Sequence, residues 1–120
     1  MNRTIFIFLV VLGLSLIFLI LYLPNIFYTA VLVIEKLDQE PEHYFVLTED
    51  DLKKYPALRD ALERLRGSKE KYILYEVPKQ EGYAIFDYLS KRQKEVGNPS
   101  SFCSAQFMFK GEFYCFYLMT

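Results

Sequence analysis

Apolar positions crowd the first fifth of the chain into one nearly continuous block; beyond it they recur in short runs with changing period. Ile5–Leu23, IFIFLVVLGLSLIFLILYL, holds sixteen Ile, Leu, Val or Phe in nineteen positions, broken only by Gly13, Ser15 and Tyr22. As a helix rising 1.5 Å per residue it would span roughly 28 Å, about the thickness of a hydrocarbon core. Each such residue favours insertion by roughly 0.3–0.6 kcal/mol, so the run contributes on the order of 5–10 kcal/mol. It predicts a transmembrane helix bounded at Pro24, because proline in a helix interior removes a hydrogen bond and crowds the preceding turn.

A cleaved secretory signal would have a shorter apolar region followed by a small-x-small site. The nearest candidate here, Tyr28-Thr29-Ala30, puts a bulky ring where a small residue belongs. The sequence therefore predicts an uncleaved signal-anchor at residues 1–24 and a single domain at 25–120. Arg3 and the α-amino group flank the N-terminal side of the run. On the other side Lys36 stands nearly alone, followed by Asp38, Glu40 and Glu42. By the positive-inside rule the N-terminus is cytoplasmic and the domain lies outside the cell membrane, in a single-pass arrangement.

After Pro24 the pattern changes period. Ile26–Ile34 is uncharged but too short for a second helical span. Its β-branched residues read as a strand over Tyr28–Leu37, buried on both faces; the competing reading carries the helix past Pro24 to about Lys36. Asp38–Glu42 is a turn and His43–Leu47 a short strand. Thr48 opens a helix, with Asp51 completing a capping-box pattern and Glu49, Asp50 and Asp51 facing the positive end of its dipole. Leu52, Tyr55, Leu58, Leu62 and Leu65 recur at steps of three or four. Pro56 splits that face into a helix at Glu49–Lys54 and a second one that starts at Pro56 and ends at Arg64–Gly67. Tyr72–Val77 is a strand, Gln80-Glu81-Gly82 a turn, and Tyr83–Val96 a helix stopped by Gly97-Asn98-Pro99-Ser100, with Ile85, Tyr88, Leu89 and Val96 on its apolar face.

Phe102–Met119 reads as a hairpin about Lys110-Gly111, with Phe109 opposite Glu112, Phe107 opposite Tyr114 and Ala105 opposite Phe116. One face is then Cys103, Ala105, Phe107, Phe109, Tyr114, Phe116 and Leu118; the other is Ser104, Gln106, Met108, Phe113, Cys115 and Tyr117. The expected fold is α+β: an N-terminal transmembrane helix, then a small, mostly antiparallel sheet with two or three helices in the order β-β-α-β-α-β-β.

Charge and chemistry narrow the function classes. Setting Arg3 aside, 13 basic and 15 acidic residues leave the rest of the chain near −2, with no basic face for nucleic acid. His43 is the only histidine, and no C-x-x-C, H-x-x-x-H, phosphate-binding glycine loop or G-x-S-x-G accompanies it. A dyad of His43 with Cys103 or Cys115 has nothing behind it beyond the residues themselves. In the hairpin register the two cysteines point to opposite faces, so they are expected to be buried small hydrophobes and not a disulfide. Glu49-Asp50-Asp51 lacks the spacing of a calcium loop, and Lys91-Arg92-Gln93-Lys94 reads as a solvated helix face rather than a headgroup patch. No cofactor, metal or catalytic residue is predicted, and an enzyme is the least favoured class.

Ten Tyr and eleven Phe without one Trp are the unusual feature. Tyr72, Tyr75, Tyr83, Phe86, Tyr88, Phe102, Phe107, Phe109, Phe113, Tyr114, Phe116 and Tyr117 crowd the second half and serve mainly as core. Met108, Phe113 and Tyr117, on the outer hairpin face, form the candidate contact surface. The sequence thus points to a non-enzymatic interaction or accessory module, held in the bilayer through residues 5–23 and contacting another membrane or envelope protein. The alternative is a ligand- or lipid-binding domain with an aromatic pocket between hairpin and helices.

Overall fold

A computed structural model of the chain describes residues 2–27, 29–99 and 102–120, with side chains of the first helix described as far as residue 20. That helix, α1 (Arg3–Phe27), is 25 residues long. Its large apolar side chains from Ile5 to Ile20 are 45% to 66% exposed, so over that stretch the domain uses none of its faces. It is long and apolar enough to cross a bilayer. The helix does not stop at Pro24 but continues to Phe27. Proline's fixed φ is itself helical, and one missing N–H bond is a local cost that leaves the helical path open.

Strand β1 follows at Thr29–Leu37, which corrects the reading of a helix continued to Lys36; Tyr28, the expected first strand residue, lies outside the described residues. Then come β2 (Phe45–Val46), α2 (Glu49–Leu52), α3 (Pro56–Arg66), β3 (Tyr72–Pro78), α4 (Lys79–Val96), β4 (Ala105–Phe109) and β5 (Glu112–Met119). The fold is α+β, with one five-stranded sheet in the order β2-β4-β5-β1-β3. Every pairing is antiparallel except β2 with β4, which is parallel. The hairpin has the expected register, Phe109 opposite Glu112 and Ala105 opposite Phe116. Its turn, Lys110-Gly111, takes φ 50° and 82°, the left-handed pair that matches strand twist and costs glycine nothing. The Lys110 ammonium reaches Glu49 at 2.8 Å and Glu63 at 3.0 Å, tying the hairpin tip to α2 and α3.

Helices α3 and α4 cover one face of the sheet. Against them lie Leu32 and Ile34 of β1, Phe107 and Phe109 of β4, and Tyr114 and Phe116 of β5, all at most 1% exposed. Leu58, Leu62 and Leu65 of α3 and Ile85 and Leu89 of α4 complete the core. Each such side chain contributes about 1.5–3 kcal/mol by leaving water. The aromatics of the hairpin's inner face therefore fill the core, and Phe107 stacks on Tyr114 at 5.7 Å.

α4 begins at Lys79, which overturns the turn expected at Gln80-Glu81-Gly82. Glycine reads locally as a breaker, but Gly82 is buried where α4 crosses the sheet. A Cβ there would lie 2.9 Å from the Ala30 Cβ and 3.3 Å from Leu118 and Val77. The missing side chain is what lets helix and sheet approach so closely. On the same helix Ile85 and Leu89 are buried as expected, whereas Val96 is 37% exposed and leaves the apolar face.

Thr48 caps α2 with the full capping box: its hydroxyl accepts from the Asp51 amide, and the Asp51 carboxylate accepts from the Thr48 amide at 2.9 Å. Burial pushes the Asp51 carboxyl up, but the Thr48 amide and hydroxyl and nearby Arg92 outweigh it and hold the group below the usual carboxylate range. A depressed folded pKa contributes stability above the unfolded value and loses it as pH falls through the folded one. Asp51→Asn is therefore expected to lose about 0.5–1.5 kcal/mol at neutral pH, the difference from the native protein shrinking as pH falls through the folded Asp51 pKa. Urea unfolding of both proteins across that range checks it; parallel pH profiles would contradict the assignment.

Candidate functional site

The face of the sheet turned away from the helices is the open side of the molecule, and the pairing register lays it out in rows. Leu37, Phe113 and Met108 form one row; Tyr72, Glu35, Cys115 and Gln106 the next. Leu74, Val33 and Tyr117 follow, then Glu76, Val31 and Met119. The three predicted contact residues do share this face. Met108 and Phe113 sit opposite each other, while Tyr117 stands two rows away beside Val33. All three are half-buried. Phe113 is engaged already, edge to face with Tyr44 at 4.9 Å, where the segment after β1 folds back over the sheet.

The freer apolar groups of this face are Tyr72 at 57%, Leu74 at 59% and Met119 at 52% exposure. Sequence reasoning counted Tyr72 among aromatics serving mainly as core and singled out neither Leu74 nor Met119. Glu76 carried the signal: a charge in an otherwise apolar strand marks the wet face, and the period of two then places Leu74 and Tyr72 beside it.

Cys103 and Cys115 form a disulfide, with Cα atoms 5.4 Å apart. This overturns the expectation of two buried free thiols on opposite faces. The register was right; the length of β4 was not. The ladder starts at Ala105, and the chain bends at Ser104, whose amide still donates to the Phe116 carbonyl at 2.8 Å. Strict alternation therefore ends before Cys103, which swings to the open face beside Cys115. With both sulfurs bonded, the dyad with His43 has no thiol to use. His43 sits at the surface with its ring against Gly97, whose φ of 121° and lack of a Cβ make room for it.

Gln106 shares the disulfide's row and is 2% exposed. Its amide donates to the Gln93 side-chain oxygen at 2.7 Å. The Gln93 Nε2 donates in turn to the carbonyls of Gly97 at 2.8 Å and His43 at 3.2 Å. Since β2 has only two residues, Gln93 of α4 takes over as partner for the β4 edge where that strand stops short.

Gln93 and Arg92 also break up the basic run Lys91-Arg92-Gln93-Lys94. Arg92 turns inward, its guanidinium 5.0 Å from the Phe45 ring, donating to the Val46 carbonyl at 3.0 Å and lying 3.5 Å from Asp51. Only Lys91 and Lys94 of the run are exposed. Glu49-Asp50-Asp51 is the first turn of α2, and no cluster of three or more His, Cys, Asp or Glu among the described residues is arranged to hold a metal ion.

Along the disulfide's end of the open face runs a groove of about 850 Å³. Its walls are the 38–42 segment, Glu35 and Leu37 on one side and Phe102 on the other. Cys103, Gln106, Cys115 and Tyr117 form the floor. Glu35, Asp38, Glu40 and Glu42 supply its charge, and no Lys, Arg or His lines it. The Tyr44 hydroxyl donates to Glu40 at 2.8 Å, which fixes that wall. Phe102 is 92% exposed at the rim. The 38–42 segment was expected only as a turn; its role as a wall depends on where the fold carries it.

No family model and no solved structure matches the chain. It is similar to two uncharacterized proteins of Archaeoglobus fulgidus. One is 31% identical over 78 residues, covering 64% of this chain and 56% of the relative. The other is 33% identical over 73 residues, covering 58% of this chain and 64% of the relative. The chain thus spans less than two thirds of the length of the curated relatives it matches, and neither name brings an activity with it.

Proposed function

We propose that the chain is a membrane-anchored docking module: α1 spans the bilayer, and the open sheet face holds a partner membrane or envelope protein. One observation carries the reading. The helices cover only one side of a five-stranded sheet, and the other side leaves Tyr72, Leu74 and Met119 more than half exposed. Apolar groups grouped on one face of a small domain mark interaction surfaces more often than scattered ones do. The core aromatics at the helix side are fully packed, so the docking reading ranks above a lipid pocket between hairpin and helices.

The charge bias that sets Arg3 on the inner side supports a domain outside the cytoplasm. The full-length protein, purified in mild detergent, is expected to bring its partner with it. Leu74→Glu or Met119→Glu should abolish that while leaving the unfolding free energy within about 0.5 kcal/mol, as for other surface changes. In intact cells an impermeant reductant and maleimide should label Cys103 and Cys115. Retention of the partner by both variants would sink the docking face, and protection of the cysteines until lysis would reverse the orientation.

A further inference from the structure

The groove beside the disulfide separates charge in a way the whole chain does not. Four of the 15 acidic side chains line it and none of the 14 basic ones does. Elsewhere the chain is mildly basic, so the negative potential is concentrated in one concave place, where field lines focus. Apolar surface accompanies the charge: Leu37, Pro41 and Tyr117 along the walls and floor, and Phe102 at the rim. An aromatic ring 92% exposed at the rim of a groove lined with carboxylates suits a cation with an aliphatic stem, which can lie on the ring while its head meets the acid.

The floor is held in place beforehand. The disulfide joins the segment preceding β4 to β5, and the buried Gln106 is hydrogen-bonded to α4. A site fixed before binding has less ordering to lose on association. The volume lies toward the upper end of the roughly 300–1,000 Å³ usual for ligand sites. Glu35, Asp38, Gln39, Glu40 and Glu42 are all exposed, which fits a chain passing through better than an enclosed small molecule. The same carboxylates repel anionic headgroups and phosphate backbones.

We infer that this groove docks a basic, extended segment of a partner protein, with Lys or Arg heads set against Glu35, Asp38 and Glu42 and their stems against Phe102 and Tyr117. The inference rests on the docking reading and adds the partner's chemistry to it. The test uses the full-length protein in mild detergent and a fluorescent peptide alternating Arg with Leu, with a Glu–Leu peptide as control. Binding is read by anisotropy at low and high salt.

The Arg–Leu peptide should bind and the Glu–Leu peptide should not, with affinity falling as salt screens the charges. The triple variant Glu35→Gln, Asp38→Asn, Glu42→Gln leaves Glu40 and its Tyr44 bond in place and should lose affinity about tenfold or more. Phe102→Ala, which removes an almost fully exposed ring, should weaken binding severalfold without touching the fold. Equal binding of both peptides, an unmoved triple variant with an unmoved Phe102→Ala, or displacement by spermine without any peptide binding would overturn the inference. The two readings separate cleanly. A partner still co-purifying with the triple variant but lost from Leu74→Glu would leave the docking face standing and remove the basic segment from it.

Discussion

Replacing both Cys103 and Cys115 by serine is expected to cost about 3 kcal/mol of stability. The bond closes a loop with sequence separation 12, and loop-closure entropy for that length gives roughly this value. The loss should be large because the bridge does what no ladder bond does there. It holds Cys103 on the open face, beyond the bend at Ser104. Urea unfolding of the full-length protein in mild detergent, with and without reductant, gives a closed comparison. The native protein should shift to a lower midpoint on reduction, the double variant should already sit there, and reductant should leave the variant unmoved. A native midpoint indifferent to reductant would show that the bridge constrains nothing.

Gln93→Leu should be comparably damaging, by about 2–4 kcal/mol, although leucine is of similar size and far more apolar. The loss lies in what the carboxamide leaves behind. The Gln106 amide loses its acceptor at 2.7 Å, and the carbonyls of Gly97 and His43 lose their donor. A buried group deprived of its partner costs about 1–3 kcal/mol, more than the gain from added apolar surface. Gln93→Glu keeps the acceptor for Gln106 but aims a second oxygen at two carbonyls, so it should fare no better. Thermal unfolding of the three proteins checks this. A Leu variant as stable as the native protein would mean that water or backbone adjustment replaces the clamp at no cost.

The sequence was readable where local chemistry decides structure. Thr48 and Asp51 are three apart and form the cap they advertise. Lys110-Gly111 takes the left-handed turn, and that turn fixes the hairpin register. The order of strands and helices follows from the changes of period. Apart from the helix that runs on through Pro24, the failures sit where a distant segment overrides a local signal. Gly82 looks like a breaker until Ala30 is packed against it. Arg92 and Gln93 look solvated until β2 ends beside them and needs hydrogen-bond partners. Cys103 belongs to the inner face only if the strand extends two residues further than it does. The candidate contact residues Met108, Phe113 and Tyr117 were placed on the correct face, but which side chains remain free depends on Tyr44 and the 38–42 segment folding over part of it. The groove is the extreme case: its lining comes from three separate stretches of chain, 35–42, 102–106 and 115–117, and no local window holds them together.

The wiring of the anchor into the sheet has a mechanical consequence. β1, which leaves α1 almost directly, is an interior strand with β5 on one side and β3 on the other. If α1 spans a bilayer and the open face holds a partner, as proposed, a pull between the two would enter the domain along a strand clamped at both edges. Such a load must slide the strand past two sets of hydrogen bonds at once, whereas an edge strand would peel away bond by bond. On the docking reading proposed above, tension between membrane and partner would fall on a strand held along both sides rather than on an edge strand.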